Sequence, residues 1–165
     1  VKIFSGDRDL FQLVRDPKTV VLFPVRGVSQ LDVVDEAHIE KRYGIPGRSY
    51  RDFAVLRGDP SDGLPGVKGI GEKLAASLVA RYGDLEAVLV AAESPNASVP
   101  LAKVRRDADY VRRAEQVTTI ATDLPIEAED LSRPHSLPHD EIVAAAARFG
   151  VEGPVKALVE ALCKP

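Results

Sequence analysis

The sequence carries a single cysteine, Cys163, and no methionine in 165 residues. One thiol excludes a disulfide framework and any cysteine-rich zinc site, and it suits a reducing cytoplasm, where the protein is expected to act. The missing methionine, with a start at Val1 inside the strand-like run VKIF, leads us to expect the later part of a longer polypeptide. No apolar run approaches membrane-spanning length and no signal-peptide pattern is visible, so no membrane partner is expected. An excess of positive charge is lacking too. The net charge of −3 excludes a uniformly basic nucleic-acid coat but leaves room for one basic face. Internal repeats and low-complexity tracts are absent. So is the G-K-[ST] ending of a nucleotide-hydrolase phosphate loop, and His38, His135 and His139 show no ligand spacing with cysteine or with one another.

What is present is ordinary globular material: 45% hydrophobic and 28% charged residues, enough for one large domain or two small ones with a real core. Val1–Phe4 and Thr19–Phe23 read as buried strands, with a short helix over Asp9–Val14 between them. That order points to an α/β sheet. Asp35 can cap a helix to about Tyr43, stopped by Gly44 and Pro46, and a second helix over Tyr50–Arg57 ends at Gly58. Leu74, Ala75, Leu78, Val79 and Tyr82 repeat at helical spacing before Gly83, and Asp84 can cap the next helix. A polar loop over Glu93–Pro100 precedes a basic helix from about Lys103 to Thr119, with Lys103, Arg105, Arg106, Arg112 and Arg113 close together. Asp123–Pro138 reads as a linker-like crossing, and helices over Asp140–Phe149 and Pro154–Leu162 finish a second half that is helical throughout.

Two pairs of carboxylates stand out. Asp7 and Asp9 follow the first strand, where ligands of open α/β sheets bind, and they share a face while the chain stays extended. Asp59 and Asp62 can converge if Asp59 begins a turn. Either pair alone is also what turns and helix caps use. Four carboxylates meeting would leave an uncompensated charge that hard divalent cations relieve. Beside them, GVKGIGEK spaces Gly66, Gly69 and Gly71 so that positive φ and close backbone approach are possible. A helix from about Glu72 turns its free N–H groups toward that loop, flanked by Lys68 and Lys73. Such a loop holds phosphate without reading bases, and a tight helix–helix turn is its structural alternative.

Together these pieces resemble a family. SGDRDLFQLV resembles the [TS]-[AG]-D-[KR]-D-L-x-Q-L segment of bacterial and phage 5′ nucleases. RGDPSDGLPGVKGIGEKLAASLV is similar to their G-D-x-S-D-N-x-P-G-V-x-G-I-G-x-K-T-A helix–three-turn–helix segment. The order and spacing agree as far as the T-D-L-P at Thr122–Pro125. The resemblance implies the C-terminal half of such a nuclease: residues 1–58 from an α/β core with a mixed or parallel, resolvase- or PIN-like sheet, and residues 59–165 mainly helical, with the helix–three-turn–helix at 59–83. It implies a monomer that cleaves duplex or flap DNA near 5′ ends with two or more Mg²⁺ or Mn²⁺ ions. Asp7 would then lie between the two ion sites, and Asp9, Asp59 and Asp62 would hold the second.

In the same likeness Gly66, Lys68, Gly69, Gly71 and Lys73 form the duplex clamp, and carbonyls of Gly66, Val67 and Ile70 hold a K⁺. Gly63 stands where the family carries asparagine. The family's earlier segment, with an E-A-D-D-like motif and an arch, is absent, so the chain alone is expected to hold half an active centre and be nearly inert. The competing reading is a non-catalytic duplex-binding module. A ribonuclease of related α/β fold fits less well, because it needs no helical clamp.

Overall fold

The computed structural model describes residues 1–125 and 139–163, so the expected linker lies outside the described residues from residue 126 onward. The chain divides into two compact units, Val1–Thr122 and Asp123–Pro165.

The first unit opens with a mixed sheet of three strands in the order β1 (Lys2–Phe4), β2 (Val20–Arg26), β3 (Gln30–Val34). β1 runs parallel to β2 with Ile3 opposite Val21, and β3 is antiparallel with Val34 opposite Val21. Val21 and Val34 are buried, which fixes this register, since a one-residue slip would turn both to solvent. The other face carries Phe4, Leu22 and Val33 side by side, with Phe4 54% and Val33 55% exposed. The third strand has no counterpart in the sequence reading. Its alternation, QLDVV, is short, and its apolar residues Leu31 and Val33 sit on the uncovered face.

Between β1 and β2 the chain forms a tight 3-10 helix, Arg8–Leu13. Then come α1 (Glu36–Tyr43) and α2 (Tyr50–Arg57). α1 begins at Asp35, whose carboxylate accepts the His38 N–H, and ends at Gly44 in the left-handed conformation. α2 is the centre of the unit: Tyr50, Phe53, Ala54, Val55 and Leu56 are all fully buried. Phe11, Tyr43, Tyr50 and Phe53 meet edge to face or tilted, with ring centres 5.1–5.8 Å apart. The same core runs on through α3 (Glu72–Tyr82), α4 (Leu85–Ala92), α5 (Val99–Arg106) and α6 (Ala108–Thr118) by way of Leu78, Val79, Val88, Leu101, Val104 and Val111.

The continuous basic helix expected over Lys103–Thr119 is a correction. It is two helices that meet at Asp107, whose backbone leaves helical geometry at φ −104, ψ 21. The side chain of Asp107 is engaged elsewhere, as shown below. In the second unit α7 (His139–Phe149) and α8 (Glu152–Cys163) pack on each other across Gly150, at φ +66.

One buried charge ties the first unit together. Asp52, only 3% exposed, accepts the Leu85 N–H at the start of α4 at 3.1 Å and the Arg51 guanidinium at 2.7 Å, and Arg51 reaches Glu115 of α6 at 3.3 Å. Removing one partner of such a pair leaves the other uncompensated. Asp52→Ala is therefore expected to lower unfolding free energy by about 3–5 kcal/mol, and Asp52→Asn, which can still accept the Leu85 N–H, by less; urea unfolding checks both.

Candidate metal and nucleic-acid site

Asp7 does not stay in extended chain with Asp9, as the strand reading supposed. It caps the 3-10 helix, its Oδ1 accepting the Asp9 N–H at 2.9 Å, because an aspartate ahead of a turn captures the free donor two residues on. The turn is moored by Gln12, whose Nε2 donates to the carbonyls of Asp9 and Thr118, each at 2.9 Å.

Asp59 does begin a turn. α2 stops at Gly58, and Asp59 caps the short helix Pro60–Asp62 by accepting the Ser61 N–H and hydroxyl. Asp59 and Leu64 exchange both backbone hydrogen bonds at 2.9 Å, which closes the turn and presents Asp62. Arg57 grips Asp59 at 3.2 Å while its guanidinium lies 4.8 Å over the Phe53 ring, and its other end approaches Glu72 at 3.9 Å, which Arg42 holds at 2.9 Å. Gly63, at φ +71, occupies a left-handed position that glycine and asparagine both tolerate, so the replacement leaves the turn intact.

Asp7 of the first pair meets the second pair, while Asp9 is not on the shared cavity wall. Asp7, Asp59 and Asp62 line one cavity of about 490 Å³ with Gly6, Arg8, Phe23 and Ser61. The Asp9 carboxyl is pushed up to about 6 by burial and by the charges of Asp7, Asp62 and Asp59, with Arg57 opposing. Burial would raise Asp59 too, but its bonds from Ser61 and the charges of Arg57 and Arg8 hold it below the usual range. Among the described residues no three acidic, histidine or cysteine side chains close round one point, so this is an open wall of carboxylates and not a finished cage. Arg8, Arg57 and Ser61 are site residues that the sequence reading missed. Arg8 and Ser61 had a signal, since each fills a position of the two quoted motifs, whereas Arg57 had none.

The glycine loop folds directly against α2. Gly66, at φ +72, lies so close to the end of that helix that a Cβ there would stand 2.4 Å from the Arg57 carbonyl oxygen. Val67 and Ile70 are buried pegs, with the Val67 N–H on the Leu56 carbonyl at 3.0 Å. Gly69 also has positive φ, +85, but Gly71 does not: at φ −94 it is the extended residue that starts α3, with no side chain capping the helix. The first-turn N–H groups of α3 thus open outward beside the exposed Lys68 and Lys73. The loop's own N–H groups are less available than expected. Gly66 donates to the Tyr110 hydroxyl at 2.9 Å, and Lys68 to the Asp107 carboxylate at 3.0 Å.

Known proteins resemble this chain in sequence and in fold. A family model described as "5′-3′ exonuclease, C-terminal SAM fold" matches residues 45–138, more than half of the chain, and the chain belongs to that family. It is 45% identical over 168 residues to a 5′-3′ exonuclease of Streptomyces coelicolor, a match covering 98% of this chain and 56% of the relative. It is 35% identical over 127 residues to DNA polymerase I of Bacillus subtilis, covering 77% of this chain and 14% of the relative. The chain spans about half the length of the curated exonucleases it matches. Among solved structures a phage T5 5′-exonuclease shares the fold at TM-score 0.61 and 16% identity, over 98% of this chain and 58% of that one. A phage T5 flap endonuclease solved with DNA and metal ions gives 0.61 and 16% over 99% and 53%.

The raised Asp9 carboxyl has a testable sign. Its folded value, about 6, exceeds its free value of 3.8, so ionisation in the fold is disfavoured. Stability is therefore lost as pH rises through that window, and the loss persists above it. Asp9→Asn, with divalent ions removed, is expected to raise stability near pH 8 by on the order of 1 kcal/mol after allowing for solvent screening, and to change little near pH 4. Thermal unfolding at the two pH values measures it; an unchanged or lower midpoint near pH 8 would count against a crowded carboxylate wall.

Proposed function

We propose that this chain supplies the second ion site and the duplex clamp of a structure-specific 5′ nuclease, which hydrolyses DNA phosphodiesters near 5′ flaps or ends of branched or nicked duplex. The observation that carries the reading is that Asp7, Asp59 and Asp62 line one cavity, although Asp7 lies some fifty residues from the other two in the chain. Oxygen-only donors under mutual repulsion, on an open cavity, fit hard divalent cations, so Mg²⁺ or Mn²⁺ is the cofactor of choice. Asp7, Asp9, Asp59 and Asp62 would hold the ions, which when bound supply an activated water and charge relief at the leaving oxygen. The phage T5 5′-exonuclease solved with divalent zinc supports this cofactor class.

The chain's own groups do the rest. Ser61 and Arg57 hold the Asp59 carboxylate in one orientation, ionised and facing its neighbours. Arg8 brings a cation to the cavity wall, suited to a phosphate oxygen of the strand being cut. Beyond the turn, residues 59–83 act as a helix–three-turn–helix. Lys68, Lys73 and the α3 N-terminus at Gly71 meet duplex phosphates, while Gly66 and Gly69 let the backbone come close. A K⁺ on the carbonyls of Gly66, Val67 and Ile70 would complete that contact. In this reading residues 1–58 belong to the nuclease core and 59–165 to the helical part.

The enzyme works as a monomer in the cytoplasm; among the described residues no helix is long and apolar enough to cross a membrane. The reading also calls for a further stretch of polypeptide, of the size by which the exonuclease relatives exceed this chain. That stretch would bring the first-site carboxylates, without which this chain is nearly inert, and would cover Phe4, Leu22 and Val33 on the open sheet face.

In the protein carrying both parts, Asp59→Asn or Asp62→Asn is expected to cut flap cleavage with Mg²⁺ or Mn²⁺ by at least about a hundredfold, while duplex binding stays within about twofold. Cleavage near the unaltered rate would remove these residues from the ion site, and no short products from the unaltered protein with either ion would leave a binding module only. The paired change Lys68→Ala, Lys73→Ala is expected to weaken duplex binding for all sequences and to lower the slope of log affinity against log salt by about two; an unchanged slope would exclude the loop as a phosphate clamp.

A further inference from the structure

The glycine stretch of the loop between α2 and α3, residues 66–70, does little to hold its own shape. From Gly66 to Ile70 its one internal backbone bond runs from the Ile70 N–H to the Val67 carbonyl, at 2.9 Å. Four of its other polar groups are held by side chains of the junction between α5 and α6, roughly forty residues further on. The Gly66 N–H meets the Tyr110 hydroxyl at 2.9 Å, and that hydroxyl donates in turn to the Val55 carbonyl of α2 at 3.2 Å. The Lys68 N–H meets the Asp107 carboxylate at 3.0 Å. The Lys68 carbonyl accepts from Arg106 at 3.0 Å, and the Gly69 carbonyl from the Lys103 ammonium at 2.9 Å. Arg106 forks both oxygens of Asp107, at 2.7 and 2.6 Å.

We propose that the α5–α6 junction is a latch that sets the loop in its DNA-binding shape, with Asp107 and Tyr110 as positioning residues for duplex binding. The proposal rests on the reading of the loop as a phosphate clamp. Its logic is economical. Lys103 and Arg106, which look like ligands for DNA, are spent on loop carbonyls, and Asp107 occupies the place of an anion on the Lys68 N–H. What the loop then offers outward is the Lys68 side chain, in a fixed register with Lys73 and the opening turn of α3. The break between α5 and α6 acquires a reason as well, because an unbroken helix would carry Asp107 away from Lys68. The Asp107 carboxyl lies at about 2, lowered by its bonds from Arg106 and Lys68, so the latch is fully charged at any physiological pH.

Simple electrostatics and the latch make opposite predictions for Asp107→Asn. Taking away a negative charge and freeing Arg106 beside the clamp should tighten DNA binding if charge alone matters. If Asp107 positions the loop, binding should weaken by about fivefold or more, although the protein has become more positive. Tyr110→Phe removes no charge and should weaken binding to a similar extent. The measurement is fluorescence anisotropy of a labelled nicked duplex, in EDTA to prevent cleavage, across several salt concentrations, below the unfolding range of each variant as judged by circular dichroism.

A variant bearing Lys68→Ala should show little further loss when Asp107→Asn is added, because the latch acts through that lysine. Asp107→Asn binding as tightly as the unaltered protein, or tighter, overturns the latch; if that variant does not fold, unaltered binding by Tyr110→Phe does so. Should Lys68→Ala, Lys73→Ala also bind normally, it is the clamp reading that has failed, whereas a weakened double variant beside normal Asp107→Asn and Tyr110→Phe removes the latch alone.

Discussion

The backbone contact between Gly66 and the carboxyl end of α2 is the constraint from which the site follows. With the Arg57 carbonyl oxygen 2.4 Å from where a Cβ would stand, the loop must carry glycine there. That approach turns the chain back on α2, lets Leu56 receive the Val67 N–H, and leaves Asp59 and Leu64 to close the turn between. Asp59, Asp62 and the start of α3 are thus hung from the end of one fully buried helix. The Asp59–Asp62 side of the acidic wall and the basic loop inherit their positions from it, while Asp7 and Asp9 are placed by the 3-10 helix after β1.

The acidic wall is costly by itself. Asp9 is pressed toward its neutral form by burial and by three neighbours of like sign, while Asp59 is kept ionised by donors placed round it. Carboxylates shifted in opposite directions around one cavity are the pattern of a functional-site candidate. The loop shows the complementary economy. Its N–H groups at Gly66 and Lys68 are satisfied internally, and the start of α3 that follows has no side-chain cap.

Much of this was legible in the residues. Asp35, Gly44, Gly58, Gly83 and Asp84 mark helix ends at the positions observed, because caps and left-handed stops are local chemistry. The two motifs carried the family and the acidic residues. What escaped was set by partners distant in the chain. The helix breaks at Asp107, whose carboxylate accepts the Lys68 N–H, and no periodicity announces that. β3 was missed because its apolar residues face outward. The convergence of Asp7 and Asp9 was tied to an extended chain, a condition that the 3-10 helix beginning at Arg8 does not meet. Arg57, read as the last turn of a helix, proved to be the counter-charge of Asp59.

Arg57 also joins the two halves of the site. A single guanidinium divides itself between Asp59 on the cavity wall and Glu72 at the head of α3, and Arg42 competes with it for the latter. A change of charge at either acid therefore alters what the shared guanidinium meets at the other, so the cavity wall and the head of α3 are coupled through one side chain.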